Sequence, residues 1–284
     1  LADAEVEYKD HTSNTIYTAF KIKKTEIDYL KNAKVIIWTT TPWTIPANKA
    51  LAFSDKIKYA LVKIGNDNED FKNENIIIAS QLVNKVAQEC NLKDFQVLKE
   101  FEGDILQNTI CSHPFESFGY VYDVPMLEGD FVTLEQGTGI VHVAPSHGPD
   151  DFNLCLKHGI KASNTINDGG LYSEEMHFFS GTHIFKADIQ VIEKLLENKS
   201  LLGKGKLVHS FPHSWRSKAP LVYRATSQWF ISMEKKDLRK KALKAIDDTI
   251  FYPERGRARI RSMVETRPDW CISRQRIWGV PLPL

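Results

Sequence analysis

Cysteine is scarce in this chain of 284 residues, and the four present (Cys90, Cys111, Cys155 and Cys271) form no CxxC pair. That spacing supports neither a zinc ribbon nor a disulfide framework, so the thiols read as reduced and mostly buried. No apolar run is long enough to span a bilayer, and no basic, apolar, small-residue leader opens the sequence. The expectation is a soluble protein with no membrane partner, cytoplasmic, or organellar once a targeting segment is removed. Net charge is also nearly absent, at +1. Internal repeats and low-complexity tracts are missing as well.

A substantial apolar complement is present. Hydrophobic residues make up 42% of the chain, with 15 Phe and 6 Trp, which argues against disorder and for a sizeable core. The charge is unevenly spread. From Gly203 to Gly279 there are 18 Lys and Arg against 7 Asp and Glu, and the rest of the chain is net acidic. A basic tail can face an anionic partner; on charge alone, a solvated surface is the preferred reading.

Alternating or β-branched runs predict strands at residues 5–9, 15–22, 34–38, 58–64 and 75–79, with polar turns between them. Ser80 is placed to cap a short helix with Leu82, Val83, Val86, Ala87 and Cys90 on one face. Further strands are expected at 95–101 and across 131–143. A helix is expected at 149–157, with Pro149 in its first turn and Gly159 as its stop. Another is expected at 186–198, with Ile189, Ile192, Leu195 and Leu196 inward. The fold expected is mainly β with peripheral helices, the core barrel-like. Composition changes near Gly203–Gly205, so a boundary is expected at Leu202: a domain over 1–202, then a less regular basic segment over 203–284 with a helix at about 235–247.

Three segments could carry chemistry. In Trp38-Thr39-Thr40-Thr41-Pro42-Trp43-Thr44, four threonine hydroxyls fall within six residues at the end of an apolar strand. Pro42 disfavours helix at Thr41, so the strand should bend there. Hydroxyls in such a bend can donate to a carbonyl or phosphate, or hold a water; threonine is also simply a common strand residue. In residues 137–152, a β-branched strand carrying His142 ends in a Gly/Pro loop with His147. The loop leads to a helix start bearing Asp150 and Asp151. Capping explains both aspartates; alternatively one caps while the other points into a cleft to hold an ammonium group or orient water. The two histidines and two aspartates match no common zinc spacing such as HExxH. The third segment is the tail, where arginines interleave with aromatics at 209–216, 224–230 and 255–276. That pattern suits phosphate contact and base stacking, or a solvent-facing basic strand.

Together these segments resemble the middle of isoleucyl-tRNA synthetase, a class I enzyme. Residues 39–48 (TTTPWTIPAN), 137–152, 209–216 and 269–283 each look like one of its signatures, in the expected order, so the resemblance covers nearly the whole chain. The valyl and leucyl enzymes share the layout but typically carry Arg-Pro where this chain has Thr41-Pro42-Trp43. The ATP-site signatures HIGH and KMSKS are missing from the sequence, so amino-acid activation is not expected from it. The resemblance implies the editing (CP1) insertion plus the segment returning to a Rossmann catalytic domain. Ser214 stands where relatives often have cysteine, which weakens any thiol or metal role there.

The implied activity is hydrolysis of valine from mischarged tRNA(Ile), acting on the acceptor end as part of a monomeric synthetase. A hydrophobic pocket separates valine from isoleucine by only about 1–3 kcal/mol, a margin for which this synthetase is itself the standard illustration. A second site that admits only the smaller residue reverses the selection. By resemblance the site is lined by Thr39, Thr40, Thr41, Trp43, Thr44, His142 and Asp151, with Asp151, Thr41 and Thr40 carrying the reaction. Asp151 is assigned to the substrate ammonium group, and Trp43 and His142 to the wall that rejects isoleucine. The threonines are assigned to the terminal ribose, the ester carbonyl and the attacking water. No metal or organic cofactor is expected. A docking module that binds the tRNA end without hydrolysis is the alternative, and a chelator-sensitive hydrolase is a third reading.

Overall fold

A computed structural model describes residues 5–273, which form two compact units divided between Ala225 and Thr226. The first unit is built on β1 (Val6–Lys24), 19 residues long. The two strands expected at 5–9 and 15–22 are this single strand. Its middle, Asp10–Asn14, shows no apolar alternation because there β1 pairs only with β10 (Leu201–Ser214), as an antiparallel ribbon from Val6↔Ser214 to Thr18↔Leu201. From Ile16, where β2 also pairs with β1, Ile16, Phe20 and Ile22 enter the core.

The remaining elements of this unit are β2 (Lys34–Thr39), β3 (Ala50–Phe53), β4 (Lys58–Ile64), β5 (Asn75–Ala79), α1 (Val83–Glu89), β6 (Phe95–Glu102), β7 (Ile110–Ser112), β8 (Asp123–Glu128), β9 (Val141–Val143), α2 (Pro149–Lys157) and α3 (Ile184–Glu197). Ten strands form one sheet in the order β6-β4-β5-β2-β1-β7-β8-β3-β9, with β10 on β1. Pairing is antiparallel except for β2/β5 and β3/β8. The mainly β architecture with peripheral helices is as expected. The path starts at β6 and ends at β9, and no ladder among the described residues joins the two.

Several local expectations are corrected. The long strand at 131–143 is reduced to β9, because Gly137 (φ 78°) and Gly139 (φ 74°) take left-handed backbone that breaks an extended run. Ser80 caps nothing. It opens a 3₁₀ turn, the residue before α1 is Leu82, and the Ser80 hydroxyl is buried with no partner among the described residues. In α3 the inward residues are Ile184, Ala187, Val191 and Leu195, while Ile189 and Leu196 are 64% and 43% exposed. Leu195 is inward as expected and Ile192 packs partly buried against the core, so the expected face is right in two of its four positions. The boundary expected at Leu202 falls inside β10; the units divide after Ala225. The composition shift at Gly203 marks the start of a water-facing ribbon.

The second unit contains β11 (Phe230–Ile231), α4 (Leu238–Asp247), α5 (Arg255–Glu265) and β12 (Trp270–Cys271), with β11 and β12 paired. The helix expected near 235–247 is α4, and α5 was not anticipated. Part of the basic tail is structural. Arg239 donates to the carbonyls of Val264, Glu265 and Arg267 at 2.7–2.9 Å, closing the end of α5. Arg261 pairs with Asp247 at 2.7 Å. Arginines 274 and 276 of the tail pattern lie outside the described residues.

Gly139 combines its positive φ with a close approach, since a Cβ there would lie 2.5 Å from the Ala79 methyl. Gly159 has the same backbone hand (φ 72°) and nothing within 4 Å. Replacing Gly159 with Ala should therefore cost only backbone strain, about 1 kcal/mol. Gly139→Ala adds overpacking, a further 1–3 kcal/mol or so. Urea melts of the two variants would show the difference; equal losses would mean that the approach to Ala79 carries no constraint.

Candidate functional site

β2 ends at Thr39, and Thr41 (φ −127°, ψ 71°) turns the chain into a 3₁₀ turn, Pro42–Ala47, as the Thr-Pro step predicts. The threonine hydroxyls form a chain. Thr39 Oγ1 lies 3.1 Å from Thr41 Oγ1, which lies 3.3 Å from Thr44 Oγ1, which lies 2.9 Å from His142 Nε2 on β9. Thr44 also donates to the Thr41 carbonyl at 2.8 Å.

Asn48 sets the direction of this chain. Its Nδ2 donates to the carbonyl of Ala50 at 2.8 Å and faces that of Val143 at 3.4 Å. Turning the amide over would set oxygen against oxygen, so the nitrogen must face His142 Nδ1, 2.8 Å away. Nδ1 is then an acceptor and the imidazole proton sits on Nε2, from which it donates to Thr44. With the Thr44 hydrogen committed to the Thr41 carbonyl, Thr41 donates to Thr44, and Thr39 to Thr41. Burial pushes the His142 pKa down to about 3, with His147 adding to the effect, so the ring is neutral at neutral pH. Thr40 stands apart. Its side chain is half-buried, and its hydroxyl has no partner among the described residues.

The turn is pinned from outside. Trp43 N–H donates to Asp188 of α3 at 3.0 Å, and the Tyr172 hydroxyl donates to the Trp43 carbonyl. His113 Nε2 donates to the Ile45 carbonyl at 3.0 Å, and the Tyr122 hydroxyl to that of Asn48 at 2.7 Å. The Trp43 indole meets the His147 ring edge-on, with centroids 4.9 Å apart. His147 is itself held by Thr165 and by the Tyr223 carbonyl, and burial pushes its pKa down to about 4.

Asp151 lies in the first turn of α2, whose N-cap is Gly148. Its Oδ2 accepts the Ala144 N–H at 2.8 Å, tying the helix start to the segment that leaves β9. Asp150 points into solvent. Burial raises the Asp151 pKa to about 6, with repulsion from Asp150 adding to it and the Ala144 bond opposing it. Of the residues assigned from sequence, Thr39, Thr41, Thr44 and His142 thus form one bonded chain, with Trp43 on the same turn. Asp151 joins through the backbone two residues beyond His142 and makes no direct bond to the threonines. No group of three or more His, Cys, Asp or Glu among the described residues is placed to hold a metal ion.

Sequence reading missed the anchors Asn48, His113, Tyr122, Tyr172 and Asp188. Asn48 lies within the 39–48 segment and could have been weighed as a buried amide. The others are 68 or more residues from the groups they hold, and nothing local marks them.

A family model described as class I tRNA synthetases (I, L, M and V) matches residues 1–284. The isoleucine–tRNA ligase of Pelagibacter ubique is 64% identical over the whole chain, which covers 31% of that protein. Those of Gluconobacter oxydans and Francisella tularensis subsp. novicida are 45% and 49% identical over 99% and 100% of the chain, covering 31% and 30% of their lengths. The chain thus spans about a third of these curated relatives. Among solved structures, GlLeuRS-CP1 matches 66% of this chain and 97% of its own with a TM-score of 0.50 at 15% identity, which is a likeness of fold.

The elevated Asp151 pKa has a signed effect on stability. A carboxyl raised from 3.8 to about 6 favours the folded state fully below pH 3.8, and that advantage is lost as pH rises through 6. Asp151→Asn keeps an acceptor for Ala144 and cannot ionise. It should therefore match the parent near pH 4 and exceed it by up to about 3 kcal/mol at pH 7.5. Urea melts at both pH values decide; a difference independent of pH would contradict the burial argument.

Proposed function

The chain belongs to the class I tRNA synthetases of the I, L, M and V group, and from that premise we propose that its first unit hydrolyses valine from mischarged tRNA(Ile). The parent protein would be an isoleucine–tRNA ligase, as its relatives are named. The observation that carries the reading is the committed hydroxyl chain beside a half-buried carboxylate. Thr39, Thr41 and Thr44 have their hydrogens engaged; Thr44 is saturated by His142 and Thr41, Thr39 and Thr41 present lone pairs, and Thr40 keeps a free hydrogen. A site that both accepts and donates at fixed points suits an ester, its ribose hydroxyls and a water.

In this reading Asp151, ionised above pH 6 or so, binds the ammonium group of the amino acid. Trp43 and His142 limit side-chain length, so valine fits and isoleucine clashes. Thr40 donates to the ester carbonyl or to the attacking water, and Thr39 and Thr41 accept from the ribose and the water. No group here is a strong base: His142 stays neutral with its one accepting nitrogen occupied by Asn48. Rate therefore comes from holding water and ester in line, with the neighbouring ribose hydroxyl taking part. An ester is activated enough for that. No step calls for a metal or an organic cofactor, and the rest of the synthetase delivers the tRNA acceptor end.

The full-length protein should release amino acid from valyl-tRNA(Ile) quickly and from isoleucyl-tRNA(Ile) slowly, with no effect of chelator. Asp151→Ala should reduce valine release at least a hundredfold while the protein stays folded. In the parent, kcat/KM should fall about tenfold per pH unit below 6, where Asp151 protonates. Normal hydrolysis by the Asp151→Ala protein would remove the site assignment, and chelator inhibition would favour a metal-dependent hydrolase. Tight binding of the acceptor end without cleavage would leave a docking module.

A further inference from the structure

The indole of Trp43 is only as well placed as its backbone, and the backbone is held at both ends of one residue: N–H by Asp188, carbonyl by Tyr172. The Trp43 N–H belongs to the first turn of a 3₁₀ segment whose N-cap, Thr41, supplies no side-chain bond. First-turn N–H groups have no partner within their own helix and must find an acceptor elsewhere. Here the acceptor comes from the second turn of α3, 145 residues later.

Asp188 is the one ionisable acid among the groups that hold this turn; the others are tyrosines and a neutral histidine. Its second oxygen accepts from Asn14 Nδ2 of β1 at 3.3 Å. No ion pair to Asp188 occurs among the described residues. A half-buried carboxylate with two N–H donors and no cation is costly, and burial holds its pKa above the usual range. Stability alone would be served by an amide or an apolar residue, so the position asks what the acceptor does. It joins β1, the turn and α3 at the residue that the deacylase reading places in the pocket wall.

We infer that Asp188 is a positioning residue for amino-acid selection: by fixing the Trp43 N–H it sets how far the indole reaches into the pocket. The inference rests on the deacylase reading. Held at N–H and carbonyl, the Trp43 peptides cannot rotate, so the Cα–Cβ direction is set and His147 supports the ring from the side. Without the Asp188 acceptor, the N–H turns toward another partner and the indole withdraws. Isoleucine then gains room, while the threonines and Asp151, held by separate bonds, keep valine cleavage.

The test uses the full-length protein with Asp188→Ala and Asp188→Asn. The Asn variant retains an oxygen for Trp43, and Asn14 can turn its own amide over to meet the new NH2. Deacylation of valyl- and isoleucyl-tRNA(Ile) is measured as kcat and KM, with hydrogen exchange at the Trp43 amide as a readout independent of activity. Asp188→Ala should lose at least tenfold of the valine-over-isoleucine ratio, mostly through faster isoleucine release, with valine kcat within threefold. Its Trp43 amide should exchange faster, and Asp188→Asn should restore both properties. An unchanged ratio, an equal loss on both substrates, a failure of Asn to rescue, or an equally protected Trp43 amide in the Ala variant would each overturn the proposal. If the unmodified protein cleaves neither ester, the deacylase premise falls, and the amide exchange still shows whether Asp188 holds Trp43.

Discussion

The backbone polar groups of one short turn, Pro42 to Asn48, need partners in a place where water is largely shut out. Every residue from Pro42 to Ala47 is buried. A buried backbone group without a partner costs as much as a lost hydrogen bond or more, and a 3₁₀ turn satisfies few of its own. Tyr172, His113, Tyr122 and Asp188 converge on it from three separate parts of the chain. The sheet, α3 and the loops after β7 and α2 must therefore all be in place before the threonine-rich turn has one conformation. The site depends on the whole unit because its backbone does.

Electrostatics follow from the same exclusion of water. Burial drives the histidines at the site to their neutral forms and lifts its carboxyl groups toward protonation. A neutral ring offers one donor and one acceptor in a fixed order, so a bonded amide such as Asn48 dictates which nitrogen does which. The hydroxyl chain thereby acquires a direction, and the site presents defined donors and acceptors.

What could be read in advance followed the range of the interaction. β4, β5 and α2 lie where the hydrophobic rhythm and the Pro149 and Gly159 signals put them, because neighbours in sequence decide those elements. The Thr41-Pro42 bend was legible for the same reason. The β1–β10 ribbon was not, because a strand with both faces in water carries no alternation. On α3 Leu195 was legible, but Ile189 and Leu196 were misplaced because with Phe185 they mimic a core stripe beside the one that Ile184, Val191 and Leu195 form. Half of the site showed itself as a cluster of threonines with a histidine and an aspartate downstream; the half that holds the turn in place is scattered through the chain, and only the folded sheet assembles it.

The ribbon has a further consequence. Val6 pairs with Ser214, and the Trp215 N–H donates to the Glu5 carbonyl at 3.0 Å, so the polypeptide arrives and departs at a single point. To any longer chain that carries it, the folded unit is topologically a tight loop. If the unit melts, the same junction must be bridged by some two hundred disordered residues, and closing a span of that length costs a few kcal/mol of chain entropy. A destabilising change deep in this sheet would therefore be felt by whatever the two strands connect to, as a loosened joint, without touching a single contact there.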